Sequence, residues 1–285
     1  TQENYTMSSS TRAACVIGYP AKHSRSPKLH GHWLERHGVD GDYRIEEIAP
    51  ENFEAFLLNF SANGYIGANV TMPHKDEALR LSVPDEKATK IGAANTLWLD
   101  QGTLRSTNTD CDGFVGALDS ASPGWDKRTS SAVVLGCGGA GRAVIYGLLD
   151  RGISTVNVVN RTYAKAADLR DAYGSSIEPA HWDDLPELLN GANLLVNTTS
   201  LGMQGQSGLE IDLSTLTSDA VVSDIVYVPL KTPLLAAAEA RGLTTANGLQ
   251  MLLHQAVGGF NLWFGTRPEV TTELYDLMSA DIPKN

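Results

Sequence analysis

The sequence predicts an α/β protein of two domains, and three observations carry that prediction. Its 285 residues exceed the usual size of a single hydrophobic core. Short apolar runs alternate with helix-period patterns through most of the chain, as they do where helices are layered on strands. Residues 120–131, rich in Ser, Pro, Gly, Lys and Arg, break this alternation into two series.

The first strand is Ala14-Cys15-Val16-Ile17-Gly18. Ser26 and Pro27 then open a helix that Gly38 ends, serine being a good cap and proline suiting the first helical position. A strand over 43–48, a helix over 51–63 stopped by Gly64, a strand over 65–70 and a helix near 85–91 follow. Residues 96–99 and 103–105, joined by Gln101-Gly102, read as a hairpin at the edge of the first sheet, since glycine supplies the backbone freedom of a short turn. The second series starts with a strand at 132–135 and continues with strands at 155–159, 194–197 and 221–225. Beyond about residue 243 the pattern changes. Residues 248–264 and 270–278 are helical with no strand between them, and are expected to pack back onto the first domain. The domains are therefore read as 12–119, completed by 245–285, and 130–244.

Net charge is −11, which argues against nucleic acid or an anionic membrane as partner, because both need clustered positive charge. No run of about 18 apolar residues is present, and the polar start at residues 1–12 lacks a signal peptide's layout, so a cytoplasmic protein is expected. Cys15, Cys111 and Cys137 are widely spaced, which suggests reduced side chains and neither disulfides nor a metal site.

Gly136, Gly138 and Gly141 form Gly-x-Gly-x-x-Gly directly after a strand and directly before a helix at 142–150. Such a turn lets a pyrophosphate approach the backbone, where free amides and the helix dipole meet its charge. This context predicts a doubly wound dinucleotide-binding domain of the Rossmann type. About 20 residues on, where an NAD-preferring fold places an acid for the ribose hydroxyls, the chain has Asn160-Arg161-Thr162 with Lys165 following. Donors and positive charge there suit a 2′-phosphate, Arg161 first among them for its planar fork, and the predicted cofactor is NADP(H).

Four further polar clusters remain: residues 23–27 with Ser24 and Ser26, 69–75 with Thr71 and Lys75, 92–96 with Asn95, and 108–110 with Asp110. Each is expected in a loop after a strand or at a helix start, where an open parallel sheet gathers ligands. The hydroxyls of Ser24 and Ser26 can donate to a carboxylate, although Ser26 taken alone is a helix cap. Lys75 taken alone is a surface charge and Asp110 a cap. As a pair they can supply and orient the proton that carbonyl reduction requires.

At these clusters the sequence resembles the shikimate/quinate dehydrogenase family, from about Val16 to Gly265. Ser-x-Ser-Pro, Asn-Val-Thr-x-Pro-x-Lys, Ala-x-Asn-Thr and Asn-Thr-Asp occur in order, followed by Gly138-Gly139-Ala140, Asn160-Arg161-Thr162, Asn197-x-Thr199-Ser200-x-Gly202-Met203 and Thr232-Pro233-Leu234-Leu235. The resemblance implies an NADP-dependent oxidoreductase that interconverts 3-dehydroshikimate and shikimate, with Lys75 as acid/base group and Asp110 as its partner. It implies that Ser24 and Ser26 hold the substrate carboxylate and that Thr71, Asn95, Asp110 and Gln255 bind its hydroxyls. Tyr227 and Met251 would lie between substrate and nicotinamide, and Thr199 and Gly248 would join the residues already named around the cofactor. Met251 and Gln255, four apart on a helix, would share one face. No metal is implied, and the protomer is expected to act as a monomer or homodimer.

Arg25, Val228 and Gln250 depart from the family pattern and bear on specificity. Two alternatives stay open. One is a dual quinate/shikimate enzyme that uses NAD, against which the Arg161 cluster speaks. The other is a non-catalytic nucleotide-binding domain, against which Lys75 and Asp110 speak.

Overall fold

The computed structural model describes residues 12–284; the expectation drawn from the polar start falls almost wholly on residues 1–11, outside that range. Two six-stranded sheets form two α/β layers. The first comprises β1 (Arg12–Gly18), α1 (Ser26–Arg36), β2 (Gly41–Glu47), α2 (Pro50–Leu58), β3 (Tyr65–Val70), α3 (Lys75–Arg80), β4 (Val83–Pro84), α4 (Glu86–Ile91), β5 (Thr96–Asp100) and β6 (Thr103–Thr107). Helices α5 (Asp110–Ala121) and α6 (Trp125–Arg128) lead into the second. It comprises β7 (Ser131–Leu135), α7 (Gly139–Asp150), β8 (Thr155–Val159), α8 (Tyr163–Tyr173), β9 (Ile177–Ala180), α9 (Leu185–Leu188), β10 (Leu194–Asn197), β11 (Val221–Asp224), α10 (Pro233–Ala240) and β12 (Thr244–Asn247). Helices α11 (Gly248–Phe264) and α12 (Thr272–Ser279) close the chain.

The second sheet is wholly parallel, in the order β12-β11-β10-β7-β8-β9, which is the doubly wound order. Both of its faces are buried. Ala132, Val134, Val156 and Val158 join one core with α7, while Val133, Leu135 and Val159 join another with α9 and α10. Covering on both sides is why its strands read as unbroken apolar runs. The first sheet, β2-β1-β3-β5-β6-β4, is mixed: β5 runs antiparallel to β3 and to β6. The hairpin turn forms with positive φ at Gln101 and Gly102, yet the hairpin is not the sheet edge. Two-residue β4 pairs outside β6, and its Pro84 sits where a missing N–H costs no ladder bond.

Helix α2 ends at Leu58 rather than at residue 63. The Asn59–Gly64 stretch closes on itself by turns; Phe60 still reaches the core with Phe53 and Leu57, while Leu58 and the rest of the stretch are exposed. Edge strands β9 and β12 carry no clear sequence signal, one containing Pro179 and the other being Thr244-Thr245-Ala246-Asn247. The break at 120–131 is itself partly helical, with Trp125 buried in the core beneath the second sheet. No helix among the described residues is long and apolar enough to cross a membrane.

Helix α11 returns to the first sheet. Its Trp263 indole donates to the Leu97 carbonyl at 2.8 Å, and a Cβ added at Gly67 of β3 would lie 1.9 Å from that indole nitrogen. Gly67→Ala is therefore expected to force α11 off the sheet and to cost about 2 kcal/mol or more. A urea-unfolding midpoint equal to the wild type's would show that this contact tolerates a methyl group.

Candidate active site

In the first sheet β1, β2, β3 and β6 point the same way, so the chain leaves all four at one edge, and antiparallel β5 begins at that edge. The four polar clusters meet there. Asn95 departs from the expected placement: it precedes a strand, because β5 is reversed. Its backbone is fixed between two neighbours, donating to the Thr107 carbonyl and accepting from Val70 N–H.

The Asn95 side chain is the hub of a buried network. Its amide donates to Asp110 Oδ1 at 2.8 Å, to Thr109 Oγ1 at 3.1 Å and to Gln255 Oε1 at 3.4 Å. Its Oδ1 accepts from Thr109 N–H at 2.7 Å. Lys75 Nζ donates to the other oxygen of Asp110 at 2.5 Å. Each carboxylate oxygen thus has its own donor, and the ion pair is largely screened from water, with side-chain exposures of 17% and 10%. Asp110 opens α5, yet it does not cap the helix through its side chain. Asn108 Oδ1 accepts from its N–H at 3.0 Å, which frees the carboxylate to face Lys75.

Ser24 and Ser26 stand at the start of α1. The backbone is already helical at Arg25, so Ser26 is the first helical residue and not the cap; Ser24 Oγ accepts from Ser26 N–H at 3.3 Å. Thr71 follows β3 and is fixed by its N–H to the Ile17 carbonyl, beside Gly18, where an added Cβ would meet its methyl at 2.4 Å. Gln255 is joined to the cluster through Asn95 and Thr109.

Across a cleft of about 750 Å³, Lys75 faces the glycine turn. Gly136 holds φ +94°, and a Cβ on Gly141 would lie 2.6 Å from the Gly136 carbonyl, so these two glycines permit the turn itself. Gly138 has open space where its Cβ would be, leaving backbone accessible at the start of α7, a 12-residue helix. Gly139, Ala140, Thr199 and Tyr227 line the same cleft. A second cavity of about 780 Å³ continues from Gly136 past Asn160, Arg161, Thr162 and Lys165. A cradle for pyrophosphate opening towards a cationic loop fits NADP(H).

Met251 and Gly248 stand directly behind the cleft wall formed by Ile225 and Val226. Met251 is buried in the core that also holds Val221 and Ala246, and Gly248 is packed so closely that its Cβ would lie 2.0 Å from the Ile225 carbonyl. Gln250 completes a capping box with Asn247. Arg25 is held away from free solvent by a two-pronged bond to Asp281, at 2.7 and 3.1 Å. Burial raises the Tyr227 hydroxyl above its ordinary value, and Arg25 opposes that shift. Val228 is half-buried before a cis Pro229.

Several residues of the site carry no role in the reading from sequence. Asn69 accepts from the Tyr43 hydroxyl at 2.7 Å and reaches Thr96 at 3.5 Å, while Thr109 and Asn108 shape the Asp110 turn. All three lie inside the quoted clusters, but spacing does not tell which side chains face inward. Arg142 pairs with Asp76 across the cleft, a contact between distant segments with no local signal.

Residues 16–97 match the family model of the shikimate dehydrogenase substrate binding domain, residues 121–204 that of shikimate/quinate 5-dehydrogenase, and residues 248–272 that of the shikimate 5′-dehydrogenase C-terminal domain. The NADP(+)-named shikimate dehydrogenase of Rhodopseudomonas palustris strain TIE-1 is 59% identical over 276 residues, covering 97% of this chain and 99% of its own. The shikimate 5-dehydrogenase of Thermus thermophilus, solved with NADP(H) and shikimate, is 33% identical with a TM-score of 0.83, covering 94% of this chain and 98% of that one. The quinate dehydrogenase of Corynebacterium glutamicum, solved with NAD, is 30% identical with a TM-score of 0.84, covering 94% and 97%.

Proposed function

The chain belongs to the shikimate dehydrogenase family, and on that premise we propose that it reduces 3-dehydroshikimate reversibly to shikimate with NADPH, Lys75 and Asp110 being its acid/base pair. The observation that carries the assignment of the pair is the position of Lys75. Its Nζ is bonded to Asp110 inside the Asn95 network, and its Cδ lies 3.7 Å from where a Cβ on Gly139 would stand. One lysine therefore borders both the polar pocket and the nucleotide cleft.

NADP(H), when bound, supplies or takes up the hydride. Everything else falls to the chain. Lys75 holds a proton at Nζ for the oxygen of the reacting carbon and takes it back in the reverse direction. Asp110 keeps that ammonium group in place, and Asn95 keeps Asp110 in place. Ser24 and Ser26 offer hydroxyls to the substrate carboxylate, while Thr71, Asn95 and Gln255 address ring hydroxyls. Residues 12–119 with 245–285 form the substrate half and residues 130–244 the NADP(H) half. Holding both reactants in one cleft replaces a bimolecular encounter by a fixed geometry.

The cationic loop of Arg161 and Lys165 supports NADPH over NADH, and so favours a shikimate enzyme over one of the quinate/NAD type. Oxidation of shikimate and of quinate, each with NADP and with NAD, tests the whole assignment: shikimate with NADP is expected to dominate, and equal quinate or NAD rates would refute the specificity. Lys75→Ala is expected to lower kcat by about 10² or more while NADPH affinity stays nearly unchanged. Turnover close to normal would remove Lys75 from its role. Arg161→Ala is expected to weaken NADPH at least about tenfold and NADH little, since a charge-assisted bond to the 2′-phosphate is lost only in the former. Equal weakening of both would place the phosphate elsewhere.

A further inference from the structure

Two motifs, Asn197-x-Thr199 and Thr232-Pro233, take no part in the proton transfer above, yet one buried carboxylate joins them. Neighbouring strands β10 and β11 end in register on Asn197 and Asp224, both essentially inaccessible to solvent. Asp224 Oδ1 accepts from Asn197 Nδ2 and from Val226 N–H, each at 3.0 Å, and Oδ2 accepts from Thr232 Oγ1 at 2.7 Å. Asn197 in turn folds the loop after β10: its Oδ1 accepts from Thr199 N–H and Oγ1, and its amide donates to the Leu201 carbonyl. Thr232 caps α10.

The loops so tied are the walls of the nucleotide cleft. Thr198, Thr199 and Ser200 of one loop and Ile225, Val226 and Tyr227 of the next line it. Asp224 makes no salt bridge among the described residues, the neighbouring Lys231 being paired with Glu239. Burial pushes the carboxyl up to about 6, and its three donors pull in the opposite direction. A carboxylate kept in the interior without a cation is costly, and packing alone does not require one. What its two oxygens achieve is to accept from both loops and from α10 at once.

We propose that Asp224 is a positioning residue for NADP(H), fixing the 198–201 loop and the 225–227 loop at the separation the cofactor needs. The inference rests on the assignment of this cleft to NADP(H). Removing the carboxylate, or the Thr232 hydroxyl that donates to it, loosens cofactor binding and leaves substrate binding and proton transfer in place.

The test compares the wild type with Asp224→Asn, Thr232→Val and Thr232→Ser, measuring NADPH Kd by fluorescence, KM for each substrate, and kcat at saturating NADPH. Asp224→Asn and Thr232→Val are expected to raise the Kd and KM of NADPH about tenfold or more, with kcat and the Michaelis constant of the dehydroshikimate substrate within about twofold. Thr232→Ser, which retains the hydroxyl, is expected to restore tight binding. Unchanged NADPH Kd in the folded variants, a loss that falls on kcat or on substrate KM, or a serine variant as weak as the valine one would each overturn the proposal. Should Asp224→Asn fail to fold, the Thr232 pair decides. A wild type that binds no NADPH would overturn the cofactor assignment itself, whereas normal wild-type binding with unaffected variants overturns only the role of Asp224.

Discussion

The Lys75–Asp110 pair sets the terms for the first half of the molecule. Two opposite charges at 2.5 Å, largely withdrawn from water, are stable only if the remaining hydrogen-bonding capacity of the carboxylate is met. Asn95 meets it, and Asn95 can do so only because its own oxygen is satisfied by Thr109 N–H and its backbone is locked between β3 and β6. The reversal of β5 is what brings that asparagine to the edge where β1, β3 and β6 end. A wholly parallel sheet would start that strand at the opposite edge.

Helix α11 brings the last member, Gln255, from a distant part of the chain, and a set of glycines governs how near it comes. A Cβ on Gly113 of α5 would lie 2.6 Å from the Met251 carbonyl and from the Gln255 Cβ, one on Gly116 would meet His254, and one on Gly258 would meet the Thr109 methyl at 2.9 Å. With side chains at these positions the two helices would stand farther apart, and Gln255 would lose its reach to Asn95 and Thr109. Entropy lost by glycine within a helix is here exchanged for the position of one side chain.

Much of this was legible in the sequence, and the failures share a cause. Strands covered on both faces announce themselves as apolar runs, so β7, β8, β10 and β11 were readable, as was the glycine turn that follows β7. Edge strands β4, β9 and β12 were not, because they are short, polar or interrupted by proline, and their pairing is decided by the neighbour already in place. The polar clusters were visible as residue types. Their partners were not: Lys75 and Asp110 are 35 residues apart, and only the fold shows that Asp110 faces the lysine while Asn108 takes over its backbone. Asp224, to which the sequence assigns nothing, accepts three hydrogen bonds from the ends of two strands and the start of α10.

The two halves are not independent of each other. Arg142, in the first turn of α7, pairs with Asp76, the residue after Lys75, but Asp76 is mostly exposed, and such a pair contributes on the order of 1 kcal/mol or less. A second point of approach lies beside it. Gly139 stands beside the Lys75 stem, where an added Cβ would be in ordinary contact with Cδ at 3.7 Å, so the glycine turn and the lysine border one another. A shift of the glycine turn by an ångström or so would move the wall beside Lys75 by the same amount. The two halves thus approach each other at Gly139 and Lys75, and the ion pair between α3 and α7 adds a weak, salt-sensitive restraint.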